Sequence, residues 1–114
     1  MTSDAGLTDK HCQHETSQLD SAAVQTLLTK IHADWSLGED GQMIQRMFRF
    51  KNYYQTIAFV NALAWVAHHQ DHHPDLKVGY NRCVVHYSTH SVDGLSENDF
   101  ICAARIDALV PGDA

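Results

Sequence analysis

Histidine is the residue type whose chemistry stands out, because the chain of 114 residues contains nine of them. Histidine exchanges protons near neutral pH, so two histidines together can supply a proton donor and a proton acceptor. Four histidines lie in the segment His68-His69-Gln70-Asp71-His72-His73, directly before Pro74. His90 ends a predicted strand, and Asp99 begins a predicted helix. This set of residues suits acid/base catalysis of an elimination at neutral pH.

The local chain geometry favours convergence of these side chains above one end of a sheet. Pro74 disfavours helical geometry at His73, so the preceding helix is predicted to end before His72 and His73. A corner between a helix and a strand holds side chains on a stiff backbone without placing them in the core. The ends of strands and the starts of helices are where an antiparallel layer leaves a cleft.

A metal site is the main alternative for the histidine segment. His68 and His72 are four residues apart, as are His69 and His73, and histidines at this spacing on a helix can bind zinc. The glutamate of the HExxH motif is missing, and the helix is predicted to end before both pairs could face one way. The sequence therefore favours metal-free acid/base chemistry.

Structural roles are the other alternative for single residues of this set. Asp99 lies three residues after Ser96, which is the spacing of a capping box, so its carboxylate could serve the helix alone. His90 could be an ordinary surface histidine. His32 and His86 are interpreted as structural.

The elements that position these residues are three helices and two hairpins. A helix starts at Asp20, a second starts after Asn52 and runs to about His69, and a third covers residues 97–109. The predicted strands lie at residues 35–37, 44–50, 76–80 and 82–89. On the last strand Cys83, Val85 and Tyr87 share one face. Arg46 interrupts the apolar face of the second strand, which predicts a position toward an edge or an interface.

The resulting order is αββαββα, which predicts an α+β fold with a four-stranded antiparallel sheet and helices packed on one face. Residues 1–18 are polar and lack a hydrophobic period, so we expect a flexible N-terminal arm before a single domain at residues 19–114. A subunit of this size has little depth for a closed pocket, which favours a homo-oligomer.

Composition excludes several classes of function. The formal net charge of −6 repels phosphate backbones, so nucleic acid is not an expected partner. No apolar run is long enough to span a bilayer, and no signal peptide is evident, so neither a membrane partner nor export is expected. Three widely spaced cysteines do not indicate a disulfide framework. These features predict a reduced cytoplasmic protein.

Four segments together resemble the pterin-4a-carbinolamine dehydratase family. They are Asp71-His72-His73-Pro74, Tyr80-Asn81, Ser88-Thr89-His90 and Gly94-Leu95-Ser96-Glu97-Asn98-Asp99. The match runs from about Asp20 to Leu109. The segments Phe50-Lys51-Asn52-Tyr53 and Asn98-Asp99-Phe100-Ile101 are similar to the bacterial branch associated with phenylalanine hydroxylase. In one departure, His68 stands where some relatives have a glutamate.

The resemblance implies a dimeric or tetrameric dehydratase that acts on a 4a-hydroxytetrahydropterin without a metal or a cofactor. The implied catalytic residues are His72, His73, His90 and Asp99. The residues expected to bind substrate are Asp71, His73, Ser88 and Thr89. We interpret His72 and His90 as the acid/base pair, with roles that could be exchanged. Asp99 would orient a histidine or hold its tautomer.

The expected product is the quinonoid dihydropterin, and the expected setting is recycling of the pterin cofactor of an aromatic amino-acid hydroxylase. Two other functions remain open from the sequence. One is a non-catalytic dimerisation partner or transcriptional cofactor, since animal relatives also bind a transcription factor. The other is a dehydratase-like protein of molybdopterin metabolism.

Overall fold

The computed structural model describes residues 5–110, which form four helices, four strands and one 3₁₀ turn. In chain order the elements are α1 (Ala5–Thr8), α2 (Ser21–Leu28), β1 (Ser36–Leu37), β2 (Ile44–Arg49), α3 (Tyr53–Gln70), β3 (Asp75–Val78), β4 (Arg82–Tyr87), the 3₁₀ turn (His90–Val92) and α4 (Glu97–Asp107). The strands pair antiparallel in the order β1-β2-β4-β3. In this described range, no helix is long and apolar enough to cross a membrane.

Side-chain caps fix the starts of the helices at the predicted residues. The carboxylate of Asp20 accepts a hydrogen bond from the backbone N–H of Ala23 at 2.8 Å, and Asn52 caps α3 in the same way through Gln55 at 2.9 Å. Such caps satisfy backbone donors that the first helical turn leaves unpaired. Asp71 ends α3 in the left-handed conformation with φ of 52°. The predicted end of this helix before His72 is confirmed.

The core lies between one face of the sheet and the helices α3 and α4. Alternation along β2 and β4 turns Ile44, Phe48, Cys83, Val85 and Tyr87 to this face, and each is buried. The buried helical residues that cover them include Phe59, Leu63, Phe100 and Ile101. The predicted α+β class, the four-stranded antiparallel sheet and the shared face of β4 are confirmed. The structure adds α1 and the 3₁₀ turn to the predicted elements.

Arg46 lies where β2 extends past its pairing with β1, which agrees with the predicted position toward an edge, but its burial was not predicted. Its side chain is buried on the core face of β2, where Nη1 lies 2.6 Å from Oδ1 of Asp107 at the end of α4. The guanidinium also lies 4.2 Å from the centre of the Phe48 ring, and the indole N–H of Trp35 donates to the same carboxylate. A buried cation is tolerated when it is paired and hydrogen-bonded. Its partner is 61 residues away, so strand periodicity could not reveal it.

The N-terminal segment also differs from the expected flexible arm. Leu7 is buried, and the backbone N–H of Gln13 donates to Oδ1 of Asn98 on α4 at 2.9 Å. The Asn98 side chain returns a hydrogen bond to the Gln13 carbonyl, also at 2.9 Å. Single side chains and backbone groups make these contacts, so no hydrophobic period marks them in the sequence. The described part of the segment is therefore packed against α4.

Candidate active site

His72 is fixed by the end of α3 and by strand β4. Its backbone N–H donates to the carbonyl of Ala67 in the last turn of α3 at 3.1 Å. The hydroxyl of Tyr87 donates to the carbonyl of His72, also at 3.1 Å. The imidazole stacks on the Tyr87 ring with 5.2 Å between ring centres and an angle of 21° between the planes. Both the backbone and the ring of His72 are therefore held in one orientation.

A short hydrogen bond of 2.6 Å joins Nε2 of His72 to Oδ1 of Asp99. Asp99 is fully buried, and its Oδ2 accepts from the Thr89 hydroxyl at 2.8 Å and from the Ser96 backbone N–H at 3.0 Å. The carboxylate thus contributes to the helix cap and contacts the histidine at the same time. Because a carboxylate only accepts, Nε2 of His72 carries the proton. Nδ1 is then the ring nitrogen that can exchange a proton with a ligand.

The electrostatic surroundings favour the charged form of His72. Burial of the ring opposes protonation, but the hydrogen bond with Asp99 and the negative charge of Asp99 outweigh it. The pKa of His72 is consequently raised above its ordinary value of 6.5. This histidine is therefore suited to donate a proton at neutral pH.

A cavity of about 540 Å³ opens beside His72. Residues at the end of α3, in the segment that follows β4 and at the start of α4 form one side of it, and the N-terminal segment forms the other. The residues that matter for its chemistry are Asp71, His72, Thr89 and Asn98 on the first side and Cys12 and Gln13 on the second. A cavity of this size can hold a bicyclic small molecule beside the histidine.

His90 lies in a neighbouring position. It is exposed at the start of the 3₁₀ turn and, with Ser88 and Thr89, lines a second cavity of about 300 Å³. Thr89 lines both cavities. A ligand that contacts both His72 and His90 would have to lie across Thr89.

The structure therefore brings only some of the predicted site residues together. His72, Thr89 and Asp99 form one hydrogen-bonded cluster, and Asp71 lies at its cavity. Ser88 and His90 lie at the second cavity. His73 is exposed beside Pro74 and lines neither of these two cavities.

Tyr87 was missed as a site residue by the sequence reasoning. Alternation along β4 predicted it as a core residue, and it is fully buried, but its hydroxyl and ring also hold His72. No local signal could have revealed this contact, because it joins a strand to the end of a helix.

In the part of the chain that the structure describes, no group of three or more His, Cys, Asp or Glu side chains is arranged to hold a metal ion.

Known proteins resemble this chain over most of its length. A family model described as pterin 4 alpha carbinolamine dehydratase matches residues 17–109. A protein of Legionella pneumophila strain Corby, provisionally named a pterin-4-alpha-carbinolamine dehydratase, is 50% identical over 113 residues, which cover 96% of this chain and 98% of the relative. A protein of Stenotrophomonas maltophilia strain R551-3 with the same provisional name is 62% identical over 92 residues, covering 81% and 78% of the two chains.

Two solved structures share the fold. A Brucella melitensis protein described as a transcriptional coactivator/pterin dehydratase superposes with a TM-score of 0.78 at 29% identity, covering 82% of this chain and 98% of its own. A pterin dehydratase-like protein described as a RuBisCO assembly factor in the alpha-carboxysome superposes with a TM-score of 0.62 at 30% identity, covering 70% and 93%.

Proposed function

The chain belongs to the pterin 4 alpha carbinolamine dehydratase family, and on this premise we propose that it dehydrates 4a-hydroxytetrahydrobiopterin to the quinonoid dihydropterin. The observation that carries the proposal is the pairing of His72 with the buried Asp99 beside a cavity of about 540 Å³. This pairing supplies a fixed proton donor at a site large enough for a pterin.

The reaction requires two proton transfers. The hydroxyl on C4a leaves as water after it receives a proton, and N5 loses its proton as the C4a–N5 double bond forms. A positioned acid and a positioned base each contribute roughly 10²–10⁴-fold to such a step. Two side chains with exchangeable protons therefore suffice for a large part of the acceleration.

We assign the acid to His72. Asp99 raises the pKa of His72 and accepts from Nε2, which leaves the Nδ1 proton of the imidazolium for the departing hydroxyl. After the transfer, the neutral ring keeps its Nε2 proton and its contact with Asp99. The Tyr87 ring maintains the orientation throughout.

We assign the base to His90, which would remove the proton from N5. His90 is exposed and lines the neighbouring cavity, and Thr89 lines both cavities. The remaining predicted residues would bind and orient the pterin. These are Asp71, His73, Ser88 and Thr89.

The decisive experiment is a stopped-flow measurement of the absorbance change as freshly generated carbinolamine loses water. Purified protein should accelerate this change in proportion to its concentration. If folded protein leaves the uncatalysed rate unchanged, the chain is not a carbinolamine dehydratase. A coactivator-like or assembly role, as in the descriptions of the two structural neighbours, would then be favoured.

The biological setting that we propose is recycling of a tetrahydropterin for an aromatic amino-acid hydroxylase. Sequence similarity of the segment Phe50-Lys51-Asn52-Tyr53 to the branch associated with phenylalanine hydroxylase supports it. A role in molybdopterin metabolism is the alternative for relatives without such a hydroxylase. A hydroxylase gene beside the gene for this chain would favour recycling, and genes of molybdopterin synthesis in that position would favour the alternative.

Removal of metal ions is expected to leave activity unchanged, because the proposed steps are proton transfers between side chains and the pterin. The measurement compares the dehydration rate before and after exhaustive chelation, with an added zinc salt as a third condition. Loss of activity on chelation and recovery with zinc would contradict metal-free catalysis.

A homodimer or homotetramer is expected in solution. Tyr54 and Trp65 on α3 are 82% and 64% exposed, and large exposed aromatic residues of this kind are typical of surfaces that another subunit covers. Light scattering at micromolar concentration should return a multiple of the 12.8 kDa subunit mass. A fully active monomer at this concentration would contradict the prediction.

A further inference from the structure

Two cysteines from distant parts of the chain meet at the wall of the candidate active site. Sγ of Cys12 lies 3.5 Å from Sγ of Cys102, although the two residues are 90 positions apart. Cys102 is fully buried on α4, one helical turn after Asp99. Cys12 is partly exposed and lines the cavity that contains His72. Both thiols are free.

We propose that Cys12 and Cys102 form a reversible disulfide when the protein meets a peroxide, and that this bond fastens the N-terminal segment to the helix that carries Asp99. The proposal goes beyond the dehydratase function and does not depend on it. The sulfur atoms must approach from 3.5 Å to about 2.05 Å. The partly exposed Cys12 segment can supply this movement, because α4 is held by the core.

The oxidation proceeds in two balanced steps. The Cys12 sulfur attacks one oxygen of hydrogen peroxide, which breaks the O–O bond and gives a sulfenic acid and water. The Cys102 sulfur then attacks the Cys12 sulfur, forms the S–S bond and releases the sulfenic oxygen as a second water. Two thiols lose two electrons and two protons in total, and one peroxide is reduced to two waters. A thiol reductant reverses the reaction.

The surroundings of the two sulfur atoms assign these roles. Cys12 meets the reagent first because it borders the cavity, whereas Cys102 lies behind it. The hydrogen bond between the thiols lowers the pKa of Cys102 and raises the pKa of Cys12. Cys102 is therefore the better second nucleophile, and the first step is slow at neutral pH because Cys12 keeps its proton.

Hydrogen exchange of two backbone amides can report whether the N-terminal segment is fastened. The N–H of Cys12 donates to Oε1 of Gln70 at 2.7 Å, and the N–H of Gln13 donates to Oδ1 of Asn98. Both amides become available for hydrogen exchange only when the segment separates from α3 and α4. A disulfide at Cys12 suppresses this separation.

The test treats the whole protein with hydrogen peroxide for increasing times, followed by alkylation of free thiols under denaturing conditions and peptide mass analysis. We expect a linked peptide pair that contains Cys12 and Cys102 and has lost two hydrogen atoms, with Cys83 alone alkylated. The oxidised protein should melt roughly 10 °C higher, since the bond closes a long loop. Exchange of the Cys12 and Gln13 amides should slow, and dithiothreitol should reverse all three changes.

Two variants provide matched controls. Cys83→Ser should still form the bond, because Cys83 lies on β4, while Cys12→Ser should show neither the linked peptide nor the rise in melting temperature. Oxidation of Cys12 to sulfinic acid without a link, a link to Cys83, a link between subunits, or absence of any reaction would each overturn the proposal. A rise in melting temperature that persists in Cys12→Ser would also overturn it. None of these readouts uses a pterin, so failure here is distinguishable from failure of the dehydratase proposal.

Discussion

Replacing His72 or His90 with alanine is expected to lower kcat for carbinolamine dehydration by roughly 10²–10⁴-fold in each case. The His72→Ala/His90→Ala double variant should lose much less than the product of the two single losses. If both side chains act on one bound pterin, either change alone leaves the partner working on an incomplete transition state. Groups that act as a unit are strongly non-additive for this reason.

The measurement is a double-mutant cycle in kcat and in kcat/KM, with two control variants. His86→Ala is the first, because His86 lies on β4 with its side chain on the face opposite Val85 and Tyr87, and it should change the rate little. His73→Ala is the second, and it should raise KM more than it lowers kcat if His73 binds the pterin.

Different outcomes of this double-mutant cycle would contradict different parts of the proposed mechanism. Independent, multiplicative losses at His72 and His90 would contradict a shared reaction. A large loss at His86 with none at His90 would place the site on the other face of the sheet. Since the proposed base must be unprotonated, the wild-type rate should also fall once the solution is acidic enough to protonate it.

The fold class was predictable because its determinants are local. The caps at Asp20 and Asn52, the helix end before His72 and the alternating face of β4 each depend on residues within a few positions. Turn chemistry, capping and strand periodicity act at this range. Residues whose positions depend on these local effects lie where the sequence predicted.

The features that the sequence did not reveal depend on contacts across the chain. Arg46 is buried because Asp107 lies beside it, and the N-terminal segment is packed because Asn98 and Gln70 hold its backbone. Neither partner is recognisable from spacing. A charged residue on an apolar face more commonly indicates an edge or an interface, and a polar segment without a hydrophobic period more commonly indicates a flexible arm. Only the folded structure shows that both are packed.

In the candidate site, too, the features set by nearby residues were predictable and those set by distant contacts were not. The residue types and the spacing from Ser96 to Asp99 predicted a helix cap and a carboxylate that orients a histidine, but several histidines were available. The structure pairs Asp99 with His72 across 27 residues and leaves His73 exposed, although His72 and His73 are adjacent in sequence. Asp71, the residue before His72, has a left-handed backbone conformation and turns the chain at this corner. The directions of the His72 and His73 side chains after this turn determine which of them meets Asp99, and the sequence does not specify those directions.

Asp99→Asn is expected to lower kcat by roughly 10²–10⁴-fold while the protein remains folded. Asparagine offers one acceptor oxygen where aspartate offers two. If this oxygen continues to accept from Ser96 and Thr89, the amide N–H₂ faces Nε2 of His72. The ring must then accept at Nε2, and the proton moves to Nδ1 in the neutral ring. The imidazolium that the acid step requires also loses the charge that stabilises it.

The pH dependence of Asp99→Asn gives a second readout that a purely structural role would not produce. In the wild type the raised pKa of His72 keeps the acid protonated to higher pH, so kcat should fall only as the pH rises through that raised pKa. Without the carboxylate this descending limb should move to lower pH.

The stability that the His72–Asp99 pair contributes is fully present below about pH 6.5 and is lost as the pH rises through the raised pKa. The difference in unfolding free energy between wild type and variant should therefore shrink over the same interval.

Ser96→Ala is the matched control for the structural share of this effect. It removes the hydroxyl that contacts Thr89 at 2.8 Å and weakens the start of α4, at a cost of about 1 kcal/mol, but it leaves the contact between Asp99 and His72 in place. Ser96→Ala should therefore melt at a lower temperature with nearly normal kcat and an unshifted pH limb. Asp99→Asn, measured well below its own melting temperature, should show the opposite balance. If Asp99→Asn lowers the melting temperature strongly but turns over carbinolamine at the wild-type rate with the wild-type pH profile, the carboxylate serves only the helix, and His72 does not act as the acid through it.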